Sequence, residues 1–224
     1  EWGQDFDIQV PDERESETDL TWDDIRPAHN STEHRIAEAI SQIEQIATKL
    51  DTNSETRIQA AKLYGQAFIE NITDGRSIDA VATAALYITT KLECEPRPLR
   101  RLSSASSSDY STVHQTVRCF RQELDSDLTD RGNQSRPEDY LHFLEAELEL
   151  SRTDLKLAEE ILKTICERTS LSGKNPAGVA AAVLYLGALE PPSQREVSHA
   201  AGVSAETVRV RLNEFRPLLE GADD

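Results

Sequence analysis

The sequence predicts an all-α protein made of two tandem five-helix domains, the second ending in a helix-turn-helix. Three observations predict it. Aromatics are only 5% of the chain, and Ala, Leu, Ile and Val carry its apolar positions, a mixture that suits packed helices better than sheets. Capping residues precede runs of apolar residues at helical spacing. Finally, the chain repeats itself. GRSIDAVATAALYI at 75–88 aligns with GKNPAGVAAAVLYL at 173–186, an offset of 98. LRRLSSASSSDYSTVHQTVRCF at 99–120 aligns with QREVSHAAGVSAETVRVRLNEF at 194–215, an offset of 95. A longer loop in the first copy, ECEPRP, absorbs the difference. Self-similarity of this kind marks a repeated supersecondary unit.

The elements follow in order. Residues 1–29 are acidic and lack helical periodicity, and read as an extended or disordered arm. The first repeat spans 30–124. Asn30 with Glu33 marks its first helix start, followed by Ile36, Ile40, Ile43, Ile46 and Ala47. Thr52 with Glu55 predicts the start of a second helix bearing Ile58, Ala61, Tyr64, Phe68 and Ile72. Ser77 predicts the cap of a third, IDAVATAALYITTKL, apolar almost all round and therefore central. Shorter helices are expected near 98–106 and 110–124. A polar, turn-rich linker covers 125–136. The second repeat spans 137–219, with Asn175–Pro176 as a cap and first-turn proline, and Ser193 with Glu196 as a capping box. Residues 220–224 form an acidic tail.

The formal net charge is -17, but it is unevenly placed. Residues 1–24 hold ten acids against Arg14, residues 122–150 hold nine against Arg131 and Arg136, and the last eight residues add three more. The rest of the chain is close to neutral. Of the 24 basic residues, 18 are arginine; abundant acid with little lysine is the composition expected of a protein adapted to molar salt. The three cysteines are odd in number and lack CxxC spacing, which speaks against a disulfide framework or zinc site and for a reducing, intracellular setting. No apolar run reaches the length of a membrane span. The chain opens at Glu1 and contains no methionine, as a piece of a longer protein would.

Two segments are candidate contact faces. In the second copy, Gln194–Ala201 forms a short helix, Gly202 the turn, and Ser204 caps a helix bearing Arg209, Arg211 and Arg216. In a helix-turn-helix the start of the second helix enters the major groove, which places Thr207 and Arg209 toward phosphates or base edges and Gln194 and Arg195 toward backbone. In the first copy, residues 96–121 hold Arg97, Arg100, Arg101, Arg118 and Arg121 against Asp109 alone. The five histidines are scattered, and no HExxH, P-loop, GxSxG or GxGxxG is present. The sequence thus points to no catalytic site, no metal site and no cofactor.

The paired blocks GRSIDAVATAALYI with PRPLRRL, then GKNPAGVAAAVLYL with SQREVSHAAGVSAETVRVR, resemble the archaeal transcription factor B/TFIIB family. STEHRIAEAISQIEQIATKL resembles that family's opening core helix, and RPEDYLHFLEAELEL the start of its second repeat. With the salt-adapted composition, the resemblance and the departures from its pattern imply a haloarchaeal, divergent paralogue. The resemblance implies two cyclin-like repeats that bind TATA-binding protein and promoter DNA flanking the TATA box and help recruit RNA polymerase. It implies a monomer in the archaeal cytoplasm, associated with the nucleoid. Gln194, Arg195, Ser204, Thr207, Arg209 and Arg211 then fall in the DNA-reading pattern. Arg76, Arg97 and Arg100, with Arg101 and Arg118, fall on the first repeat's face toward TATA-binding protein and DNA. Glu206 stands where the family carries valine; a glutamate there accepts from cytosine N4 but repels phosphate. SSASSSD replaces an apolar-basic turn. EWGQDF resembles residues that follow a zinc ribbon, which leaves two readings: a ribbon preceding Glu1 in the full-length protein, or a divergent paralogue. The alternative is a cyclin-like adaptor that binds TATA-binding protein or polymerase without reading DNA.

Overall fold

Side-chain caps start most of the helices, at points where backbone N–H groups would otherwise lack partners. A computed structural model describes residues 31–123 and 135–220. The acidic arm, the Asn30 cap, most of the linker and the tail beyond Glu220 lie outside them. Among the described residues there are ten helices and no strand. The first repeat holds α1 (Ser31–Lys49), α2 (Ser54–Ile69), α3 (Ile78–Leu92), α4 (Leu99–Ala105) and α5 (Tyr110–Glu123). The second holds α6 (Pro137–Glu147), α7 (Arg152–Arg168), α8 (Pro176–Gly187), α9 (Gln194–Ala200) and α10 (Ala205–Glu220). No described helix is long and apolar enough to cross a membrane.

The two Ala-rich blocks become the two central helices. Ala80 to Leu86 of α3 are all buried, and α3 packs against α1, α2 and α5. Ala177 to Leu184 of α8 are likewise buried, and α8 packs against α6, α7 and α10. Alanine suits this role because a helix without bulk on any side lets several neighbours approach closely. Each repeat closes its own core, with Tyr64 and Phe120 among the largest buried side chains of the first and Leu162 and Phe215 of the second.

The caps refine the reading. The Ser77 hydroxyl accepts from Ala80 N at 3.2 Å, and Asn175 Oδ1 accepts from Ala177 N and Gly178 N at 3.0 and 3.3 Å. Two expectations are corrected. Asn53, not Thr52, caps α2, its Oδ1 accepting from Thr56 N at 2.7 Å; Thr52 is buried instead. Ile72 is a core residue but lies beyond α2, because Asn71 turns into the left-handed region (φ 60) and ends the helix. The serines of SSASSSD are engaged as well. Ser108 donates to Asp79 Oδ2 at 2.7 Å, and Asp109 Oδ1 accepts from Ser111 N and Thr112 N at the start of α5.

Asp154 ties the second repeat together. Its carboxylate accepts from Ser151 N at 3.0 Å and from the Ser151 hydroxyl at 2.7 Å, and across the fold from Leu189 N at 2.9 Å. Those donors, Leu189 N first, hold its carboxyl below the ordinary carboxylate range. A depressed folded-state value means that its contribution is complete at neutral pH and is lost as pH falls through the acid range. Asp154→Asn is therefore expected to lower stability at pH 7 and to flatten acid unfolding below about pH 4. An acid titration followed by circular dichroism checks this; a variant with the parent's acid slope refutes it.

Candidate nucleic-acid interface

The helix-turn-helix is built by three local devices. Ser193 and Glu196 form the capping box of α9, with Ser193 Oγ accepting from Glu196 N (3.2 Å) and Glu196 Oε2 from Ser193 N (2.8 Å). Gly202 makes the turn at φ +63, where L side chains are strained. A Cβ there would also lie 2.7 Å from Pro98 Cβ, so the turn of the second repeat rests against the first. Ser204 then starts α10, its hydroxyl accepting from Thr207 N at 3.1 Å.

The candidate residues of this unit differ in what they have free. Glu206 and Arg209 are both exposed and form an ion pair at 2.7 Å, one turn apart on α10. The hydrogen bond from Arg209 holds the Glu206 carboxyl below its usual range, so the pair stays ionised into acid. Arg211 turns away from this pair and bridges to Glu214, which also holds Lys174 at 3.1 Å. Thr207 is half-buried: its hydroxyl lies 2.8 Å from Ser204 Oγ, and its methyl faces Gly178, where a Cβ would sit 2.8 Å away. Thr207 thus helps dock α10 onto α8. Gln194 is half-buried at the first turn of α9, and Arg195 beside it is exposed.

The five first-repeat arginines do not share one fate. Arg76 folds back on its own repeat, donating to the carbonyls of Ile72 at 2.5 Å and Asp74 at 3.3 Å and lying 3.0 Å from Cys119 Sγ. Arg97 donates to the carbonyls of Leu50 (3.3 Å), Glu95 (3.1 Å) and Asp51 (3.2 Å). Burial lowers its proton affinity, and Glu95 and Asp51 pull the other way. Arg101 ion-pairs with Glu147, and its Nη1 lies 3.5 Å from His199 Nε2. Arg100 is exposed and stacks over the Tyr110 ring at 4.7 Å. Arg118 is exposed on α5. Arg100, Arg118 and Arg195 form no ion pair among the described residues.

A concavity of about 710 Å³ joins the two candidate faces. Arg100, Arg101 and Ser104 of α4 line one wall, and Arg195, His199 and Ser204 line the other. Arg100, stacked on Tyr110, and Arg195 therefore line a cleft between repeats without an ion pair among the described residues, with charge of the sign that phosphate or an acidic surface requires. Sequence reasoning missed His199 and Ser104 as lining residues, because only tertiary contact brings α4 to α9. Among the described residues no group of three or more His, Cys, Asp or Glu is placed to hold a metal ion.

The transcription factor TFIIB repeat matches this chain twice, over residues 32–123 and 131–217. The chain is 34% identical over 196 residues to Transcription initiation factor IIB 3 of Halobacterium salinarum, covering 86% of this chain and 61% of that protein. It is 37% identical over 193 residues to Transcription initiation factor IIB of Archaeoglobus fulgidus, covering 85% and 58%. It is 33% identical over 197 residues to Transcription initiation factor IIB 1 of Thermococcus kodakarensis, covering 87% and 65%. The chain spans less than two thirds of the length of each of these relatives. Two matched repeats, ten helices in tandem and relatives at this identity across most of the chain place it in one family: it belongs to the TFIIB-repeat transcription factors.

Proposed function

We propose that this chain is the promoter-binding core of a general transcription initiation factor that acts with TATA-binding protein and RNA polymerase. The observation that carries the reading is the cleft between repeats, where Arg100 of one repeat and Arg195 of the other stand exposed and, among the described residues, form no ion pair. Among the described residues its lining holds three arginines, a histidine and three serines, with Glu196 the one acid beside Gly202 and Val203. On α10, Arg209 and Glu206 are the exposed charged pair at the end that a helix-turn-helix presents to the major groove. Arginine reads guanine O6 and N7, and glutamate accepts from cytosine N4. At molar salt the Debye length falls to about 3 Å. Contacts at hydrogen-bond distance and the partner protein then supply the affinity, rather than long-range attraction.

The test is a mobility shift of a promoter fragment at high salt, with and without TATA-binding protein. A ternary complex is expected, and Arg209→Ala is expected to weaken it about tenfold or more. Unchanged binding by that variant removes base reading by α10. The Glu206–Arg209 ion pair favours a second reading, in which α10 is charge-neutral toward DNA and the chain is a protein-binding adaptor. Under that reading TATA-binding protein binds the chain equally well with and without DNA, and Glu206→Gln changes nothing.

A further inference from the structure

Two side chains of α6 that carry no charge-pattern or spacing signal meet the first repeat directly. The guanidinium of Arg97 lies 4.8 Å from the centroid of the Phe143 ring, and Arg101 pairs with Glu147. The two arginines are four residues apart, and so are their partners. Phe143 and Glu147 therefore share one face of α6, facing Arg97 just before α4 and Arg101 on it, and the contacts form a ladder of two rungs. The Arg97 rung is fixed at its first-repeat end. Carbonyls of Leu50 and Asp51, just past the C-terminus of α1, hold the Arg97 guanidinium, where the negative end of the helix dipole favours a cation. Between the rungs in sequence, Pro98 packs on the Gly202 turn of the helix-turn-helix. The start of α4 therefore bears on α6 and on the reading unit together.

We infer that Phe143 and Glu147 are positioning residues, holding the helix-turn-helix in a set register with the first repeat. Its consequence for DNA rests on the proposed function. Two contact faces joined in fixed geometry lose less orientational freedom on binding than two tethered separately. The ladder thereby dictates which spacing between two DNA elements the protein accepts.

Cys94 and Cys166 are exposed, one in each repeat, and serve as spin-label sites once Cys119 is replaced by serine. The double-label distance distribution is expected to be narrow in that background and broad in Phe143→Leu with Glu147→Gln. Arg101→Glu broadens it, and adding Glu147→Arg restores it. Circular dichroism establishes that each variant keeps its helices. A distribution left unchanged by Phe143→Leu with Glu147→Gln overturns the inference. In complexes with TATA-binding protein, preference for the native element spacing over a two-base-pair shift is expected to fall about tenfold in that variant. An unchanged preference overturns the positioning role. Broadening in a protein that forms no promoter complex at all upholds the ladder and overturns the promoter reading instead.

Discussion

Replacing Phe215 with alanine is expected to destabilise the second repeat by about 3–5 kcal/mol. Phe215 is fully buried in the second core, and its counterpart at the repeat offset, Phe120, is 1% exposed in the first. Each ring projects from the repeat's last helix into the core around its central helix, so removing one leaves a cavity that rigid neighbours fill only in part. The loss approaches the whole stability of an ordinary domain. Because the two cores are separate clusters, the effect should be confined to one repeat. Both tryptophans, Trp2 and Trp22, fall in the acidic arm, outside the described residues. Amide hydrogen exchange resolved by helix is the measurement: protection should fall across α6 to α10 and persist in α3. A destabilisation under 1 kcal/mol, or equal loss in both repeats, contradicts the prediction.

Gly187→Ala is expected to destabilise the same repeat by about 3 kcal/mol, the upper end for overpacking. A Cβ at Gly187 would lie 2.7 Å from Ala158 N and 3.0 Å from Ala158 Cα. These are main-chain atoms of α7, which cannot swing aside as a flexible side chain can. Its φ is ordinary, so the requirement for glycine comes from helix approach and not from backbone conformation. At the repeat offset the first copy has Thr89, a buried residue whose hydroxyl donates to the Ala85 carbonyl at 3.0 Å. The two central helices are thus alike in sequence but not in how closely the neighbour behind them approaches. Thermal unfolding should show a midpoint drop of about 12–24 °C for a domain of this size. A drop of only a few degrees would show that α7 and α8 can slide apart cheaply.

Much of the fold was legible because it rests on local rules. Ser77, Asn175 and the Ser193–Glu196 box each cap the helix that the sequence assigned to them. Gly202 makes its turn because a left-handed backbone there suits glycine. Thr52 was misread because Thr52 and Asn53 are both capping types, and burial of Thr52 decides between them. Ile72 carries the right hydrophobicity for α2, but an adjacent left-handed asparagine, not hydrophobicity, sets where the helix stops.

The candidate site divides along the same line. Arginine at 76, 97, 100, 101, 118, 195, 209 and 211 is visible in the sequence, yet charge in a sequence does not say which guanidinium is already spoken for. Arg76 and Arg97 are held by carbonyls, Arg101 and Arg211 by glutamates, and Arg209 by Glu206, a pair the one-turn spacing foreshadows. By itself the sequence determined the helices, their duplication and the helix-turn-helix, because periodicity, caps and repeats are properties of neighbours along the chain. Only the tertiary structure decided that Arg100 and Arg195 share a cleft, that Thr207 leans on Gly178, and that Phe143 and Glu147 lock onto the first repeat. Those contacts join residues more than 25 positions apart, where no local periodicity reaches and only packing can choose the partner.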